Sequence, residues 1–81
     1  MPGLRRLYAP QRVAVLTDPA GAPMTVEGIS VEAVREEWLV EDRWWTAKPL
    51  RRHYFELALG DGRALTVFRT ARARRWYRQR A

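Results

Sequence analysis

The stretch LRRHYFELALGDGRALTVFRT, residues 50–70, decides the fold class. Two segments of alternating apolar and polar residues flank Gly60-Asp61-Gly62, which is the composition of a β-hairpin with a tight turn. A two-residue loop would place the leucines of the first segment opposite Ala64 and Thr66. A three-residue loop pairs residue 57 with 65 and residue 59 with 63, so that one face collects Phe55, Leu57, Leu59, Leu65 and Val67. The apolar pattern therefore predicts the three-residue loop, with Gly62 in the left-handed conformation.

The predicted register also pairs Tyr54 with Phe68 on the face away from Leu57. Two interpretations of this aromatic pair stay open at the sequence level. On an open face, the rings are a platform on which nucleic-acid bases stack. On a covered face, they fill a second small core beneath the N-terminal tail.

The N-terminal half extends this pattern. Residues 12–17, RVAVLT, predict a strand, residues 18–23, DPAGAP, a turn, and residues 24–28, MTVEG, the returning strand. We expect residues 1–11 to form a flexible N-terminal tail and residues 12–81 to form a single β domain.

Residues 29–44, ISVEAVREEWLVEDRW, alternate in polarity and predict a long, bent strand. The alternation sets Val34, Glu36, Trp38 and Val40 against Arg35, Glu37, Leu39 and Glu41. A helix capped by Ser30 is the alternative, although position 33 lacks the glutamate of a capping box. Pro49 predicts a connection over residues 46–49, because proline removes a ladder donor. Residues 71–75 predict a basic connection, and residues 75–80 a short strand with Trp76 or Tyr77 directed inward.

These elements predict an all-β fold, a small antiparallel barrel or strongly bent sheet of five or six strands with SH3-like or OB-like proportions. The 81 residues make one domain with a thin core, and no cysteine is available to reinforce it. The lack of cysteine favours a reducing, cytoplasmic setting. No apolar run is long enough for a membrane span, so no membrane partner is expected.

Charge is distributed unevenly along the chain. Residues 1–42 carry four basic and seven acidic groups, a net charge of −3, whereas residues 43–81 carry eleven basic and two acidic groups, a net charge of +9. Fourteen of the fifteen basic residues are arginine, whose planar guanidinium binds phosphates and stacks on rings. The asymmetry favours an anionic partner for the C-terminal half.

Catalysis is not expected from this composition. The chain has one histidine, one serine at position 30, no cysteine and no glycine-rich phosphate loop. A lone His53 is a poor metal site, since zinc takes several His or Cys ligands. We therefore expect neither a cofactor nor a bound metal.

Arginines and aromatic residues alternate in the C-terminal half, as they do in proteins that bind single-stranded nucleic acid. The candidates for contact with nucleic acid or a partner are Trp45, Arg51, Arg52, Tyr54, Arg69, Arg74, Arg75, Trp76 and Arg78. Trp44 and Trp45 point to opposite faces if they share a strand, so one belongs to the core and the other is either partly exposed or covered by the N-terminal tail. Nucleic-acid binding requires these arginines on one face with few carboxylates. Arginines that each face a glutamate of residues 32–42 favour a protein–protein adaptor or a homo-oligomer instead.

The order of motifs over residues 34–80 is the basis of a resemblance: EDRWW, Pro49, RRHYFEL, DGR, LTVFR and RRWYRQR. It resembles a small bacterial domain of unknown function. That domain occurs alone and as a C-terminal appendage of Y-family DNA-polymerase-like mutagenesis proteins. The resemblance implies a non-enzymatic β module of DNA repair or translesion synthesis, which acts by recruiting a partner or contacting DNA. It implies no catalytic residues.

Overall fold

The computed structural model describes residues 10–42, 50–70 and 75–79, and these residues form an antiparallel all-β sheet. Its strands are β1 (Gln11–Val13), β2 (Val15–Thr17), β3 (Pro23–Val26), β4 (Ile29–Asp42), β5 (Leu50–Leu59), β6 (Ala64–Thr70) and β7 (Trp76–Arg78). Their spatial order is β1-β7-β6-β5-β4-β3-β2. The predicted fold class is confirmed, although the described residues hold seven strands rather than five or six.

The first and last strands of this order are consecutive in the chain. Only Ala14 separates β1 from β2, so residues 11–17 are one bent segment that covers the predicted strand 12–17. Its first part pairs with β7 and its second part with β3. The sheet therefore nearly closes on itself as a small barrel, and the split of this segment adds one strand to the count.

The β5–β6 hairpin has the predicted three-residue loop. Leu57 pairs with Leu65 and Phe55 with Val67. The N–H of Leu59 donates to the carbonyl of Arg63 at 2.8 Å, and Gly62 has a φ of 92°. The register inferred from the shared apolar face is therefore confirmed, together with the left-handed glycine.

Among the described residues, the core on the concave side of the sheet consists of seven buried side chains. They are Val13, Val26, Phe55, Leu57, Leu59, Val67 and Trp76. Trp76 is directed inward, as predicted for one of the two aromatic residues of β7, and its ring centroid lies 5.4 Å from that of Phe55. No residue of β4 belongs to this buried set; Ile29 and Val31 pack against it only partly buried.

Residues 29–42 form a strand, so the helix alternative is wrong. Irregular pairing with β5 occurs at two places, after Val31 and after Val34. Val34 lies opposite Leu57 on the core side, whereas Trp38 lies opposite Tyr54 on the other side. The prediction that Val34 and Trp38 share a face is therefore wrong, because a bulge inserts an extra residue between them.

Two turns shape the β2–β3–β4 meander. The predicted turn at residues 18–23 is stabilised by Asp18, whose Oδ1 accepts the N–H groups of Ala20 and Ala22, each at 2.9 Å. A second, two-residue turn at Glu27 and Gly28 joins β3 to β4, with φ values of 49° and 79°. The sequence pattern does not predict this turn, since glutamate is not typical of a position with positive φ.

Several predictions concern residues outside the described ranges. They are the tail up to residue 9, the orientation of Trp44 and Trp45, the connection at residues 46–49 and most of the basic connection at residues 71–75. Gln11, the last residue of the predicted tail, is the first residue of β1 and pairs with Arg78 of β7. Nowhere in the described ranges does a helix occur that is long and apolar enough to cross a membrane.

Candidate nucleic-acid interface

An open cleft of ≈ 700 Å³ lies on the concave side of the sheet, between β2 and the strands β4 to β7. The strand register explains its composition, because Leu39, His53, Arg69 and Trp76 lie directly opposite one another across four strands. Polar and basic side chains dominate its lining. The lining residues are Val15, Thr17, Leu39, Arg51, His53, Arg69, Thr70 and Trp76.

Two glutamates of β4 contact side chains that line the cleft. Glu41 forms an ion pair with Arg51, with Oε2 at 2.6 Å from Nε. Glu37 lies four residues earlier on the same face of β4, with Oε2 at 2.7 Å from Nε2 of His53. Both pairs are at least partly exposed to solvent, so each contributes at most about 1 kcal/mol to stability. Their consequence is electrostatic: Arg51 is a weaker anion ligand than its position suggests.

The β6 side of the cleft differs, because Arg69 forms no ion pair with any described carboxylate. Its guanidinium lies 5.5 Å from the ring centroid of Trp76, and Nη1 donates to the carbonyl of Gly21 at 3.4 Å. A guanidinium has five N–H donors, so most remain available for a ligand. The ring and the turn hold Arg69 in place without neutralising it.

Thr70 and Arg75 continue this side. Within the described ranges, the buried Oγ1 of Thr70 has no hydrogen-bond partner. The N–H of Thr70 donates to the carbonyl of Arg75 at 3.3 Å, which places the backbone of the exposed Arg75 beside the end of β6. Arg69, Thr70 and Arg75 therefore bring two basic residues and one threonine together where β6 ends and β7 begins. We call these three residues the β6–β7 basic site.

A row of four aromatic rings crosses the opposite face of the sheet. Trp38 stacks on Tyr54 with centroids 5.2 Å apart, Tyr54 contacts Phe68 at 4.9 Å, and Phe68 contacts Tyr77 at 5.4 Å. The hairpin pattern predicts only the pair of Tyr54 and Phe68. The ends of the row are not predictable from sequence, because the registers of β4 and β7 depend on pairings between distant strands.

The two central rings of this row are buried. Tyr54 is 9% exposed and Phe68 is 3% exposed. Arg52 packs over them, with its guanidinium carbon 5.2 Å from the Phe68 centroid and Nη1 at 3.5 Å from the Tyr54 hydroxyl. This burial agrees with a second small core and not with an open platform. Tyr54 therefore has no free ring face on which a base could stack.

The predicted site residues thus fall into separate groups. Three of them, Arg51, Arg69 and Trp76, line the cleft, and Arg75 adjoins it. Arg52 and Tyr54 lie on the opposite face. Arg78 lies opposite Val67, and its buried Nε has no partner among the described residues. Trp45 and Arg74 lie outside the described ranges.

Trp76 also differs from its predicted role. It is buried beneath Arg69 and within the core, so it supports a cation rather than stacking on a ligand. Among the described residues, no group of three or more potential ligands can hold a metal ion.

Comparison of the chain with family models, curated proteins and solved structures gives no match. The resemblance to the domain of the mutagenesis proteins therefore stays a prediction.

Proposed function

We propose that this chain is a non-catalytic binding module that contacts single-stranded nucleic acid through the β6–β7 basic site. The observation that supports this best is the state of Arg69. It lines the cleft, is held by Trp76 and the Gly21 carbonyl, and has no ion pair with a described carboxylate. A phosphate at this position gains charge-assisted hydrogen bonds without requiring an ion pair to break.

The spacing of the site suits a polymer rather than a single small anion. Arg69 and Arg75 lie on either side of Thr70, where β6 ends and β7 begins. Two basic residues in this region can contact successive phosphates, and single-stranded binding proteins use basic grooves to follow the backbone. The mostly buried aromatic row makes backbone contacts, rather than base stacking, the main source of affinity.

The resemblance over residues 34–80 narrows the proposal to DNA. We expect the module to act in the cytoplasm, in DNA repair or translesion synthesis, where single-stranded DNA is exposed. The protein–protein adaptor remains the second candidate. It is favoured by the Glu41–Arg51 ion pair and the Glu37–His53 hydrogen bond, because these glutamates already contact two of the side chains that line the cleft.

The test is a fluorescence-anisotropy titration of the chain with a labelled oligothymidylate at several salt concentrations. We expect affinity to fall steeply with salt, because each neutralised phosphate releases counterions. Arg75→Ala should lower the slope of log K against log salt by about 0.7, the value for one contact on a single strand.

Arg63→Ala is the matched control for this titration. It removes the same charge from the opposite end of the β5–β6 hairpin, where Arg63 pairs with Asp61 at 2.8 Å. Affinity and slope should therefore stay close to those of the unmodified chain. Equal effects of both substitutions would show that only net charge matters, and absence of binding at low salt would exclude the nucleic-acid function.

A further inference from the structure

The outer edge of β4 is the longest unpaired stretch of backbone in the described sheet. On one side β4 pairs with β5 from Val31 to Asp42. On the other side β3 covers only Ile29 and Ser30. Beyond the second bulge, residues 37–41 form a regular strand whose outer edge no described strand occupies. Every second residue of such a strand directs its N–H and C=O groups outward, which makes it a template for another strand.

The side chains along this edge are apolar and unusually exposed. Leu39 is 66% exposed and Trp38 is 36% exposed, with Val40 close to Trp38 in exposure. Trp38 and Val40 share the face of the aromatic row, whereas Leu39 lies on the cleft face. A strand added to the edge covers all three, because directly opposite side chains lie about 5 Å apart.

The net charge of β4 indicates which kind of partner can bind its outer edge. β4 carries five carboxylates and one arginine, a net charge of −4. Nucleic acid is repelled by this strand, and pairing with β4 of a second copy brings two strands of net charge −4 together. An extended segment with basic side chains has the complementary charge.

The positions of the glutamates define the segment further. Glu37 and Glu41 lie on the same face, with Leu39 between them, and each contacts one side chain of β5, His53 or Arg51. A carboxylate has more lone pairs than one such contact uses, so it can accept a second cation from the outer side. Opposite residues 37–41, the matching segment has a basic residue at each end and three apolar residues between them.

We propose that residues 37–41 of β4 bind an extended segment of a partner protein by β-strand addition, and that this segment carries two basic residues separated by three apolar ones. Backbone hydrogen bonds supply affinity in this mode, and alternate side chains supply specificity. This surface is distinct from the β6–β7 basic site. The chain can therefore link nucleic acid to a protein that carries a basic segment.

The test uses the full chain and the peptide Gly-Ser-Arg-Val-Leu-Val-Arg-Ser-Gly in a ¹⁵N NMR titration. We expect saturable shifts of the amides of residues 37–41 and slower hydrogen exchange at the outward-facing ones. The same peptide with every backbone nitrogen methylated keeps its charge but cannot form the ladder, so it should not bind.

Two charge-matched substitutions locate the acidic contact. Glu41→Gln should weaken peptide binding about two- to fivefold, the range expected for one cross-strand charge pair. Glu56→Gln removes an identical charge from β5, where Glu56 lies opposite Glu36 and away from the outer edge. This control should leave the affinity unchanged.

Three results would overturn the proposal. The first is no binding at millimolar peptide, which would mean that the glutamates only prevent strand pairing, as edge charges often do. The second is a set of shifts at the β6–β7 basic site without shifts at residues 37–41. The third is self-association of the chain alone through residues 37–41, measured by sedimentation, because a second copy would then be the occupant.

Discussion

β4 and β5 are adjacent strands of similar alternating sequence, but their side chains differ in burial. β5 has a neighbour on both sides and buries Phe55, Leu57 and Leu59. β4 has one neighbour over most of its length, and every residue described from Glu32 to Glu41 is exposed. Alternation therefore determines which side chains share a face, whereas the number of neighbouring strands determines whether that face is buried. The same absence of a second described neighbour makes β4 a candidate docking edge.

The strongest way to break this comparison is to remove one leucine from each strand. Leu57→Ala should lower the free energy of unfolding by about 2–5 kcal/mol, because a fully enclosed side chain leaves a cavity. Leu39→Ala should change it by no more than about 0.5 kcal/mol, since its side chain is mostly in solvent. Urea denaturation followed by tryptophan fluorescence measures both. Similar losses for the two variants would contradict the exposed state of β4.

The hairpin loop provides a second, smaller contrast between two glycines. Gly62 has a φ of 92°, so Gly62→Ala should destabilise the chain by about 1–2 kcal/mol. Gly60 has no positive φ, and an added Cβ would meet the Ser30 carbonyl at an ordinary 3.5 Å. Gly60→Ala should therefore cost clearly less. Thermal unfolding compares them, and an equal loss would argue against the three-residue loop.

Local patterns predicted the hairpin and its register, because a two-strand unit with a short loop contains its own partner. The strand over residues 29–42 was also predictable from alternation. The face of Val34 was not, since a bulge changes facing without a marked change in composition. The cleft was not predictable either, because Leu39, His53, Arg69 and Trp76 become neighbours only through the pairing of four strands.

The faces of the candidate arginines were not predictable from composition either. Residues adjacent in sequence, such as Arg51 and Arg52, lie on opposite faces of a strand. One of them forms an ion pair with Glu41, while the other packs on Phe68. Composition indicated the excess of arginine correctly but could not distinguish the arginines that β4 neutralises from those that remain available.

The smallest expected effect is the pH response of the loop. The N–H of Arg63 donates to Asp61 Oδ1 at 3.1 Å, and together with the Arg63 side chain it holds the pKa of Asp61 below its ordinary value of 3.8. A lowered pKa stabilises the fold at pH values above 3.8, and this contribution is lost as pH falls through the folded-state pKa.

Asp61→Asn should remove that part of the acid sensitivity and leave the rest. Urea midpoints measured from about pH 5 to pH 2 test this, because linkage confines the response to that interval. A variant with the same pH dependence as the unmodified chain would show that the Arg63 contacts do not lower this pKa in solution.

The central claim is that this small sheet has two binding surfaces of opposite charge, the β6–β7 basic site and the acidic edge of β4. One ¹⁵N NMR experiment tests it directly: oligothymidylate is added first, and the basic peptide second. We predict that the oligonucleotide shifts the amides of Arg69, Thr70 and Arg75 and that the peptide shifts those of residues 37–41. Oligonucleotide-induced shifts along β4, or no shifts at Arg69 and Arg75, would contradict the account.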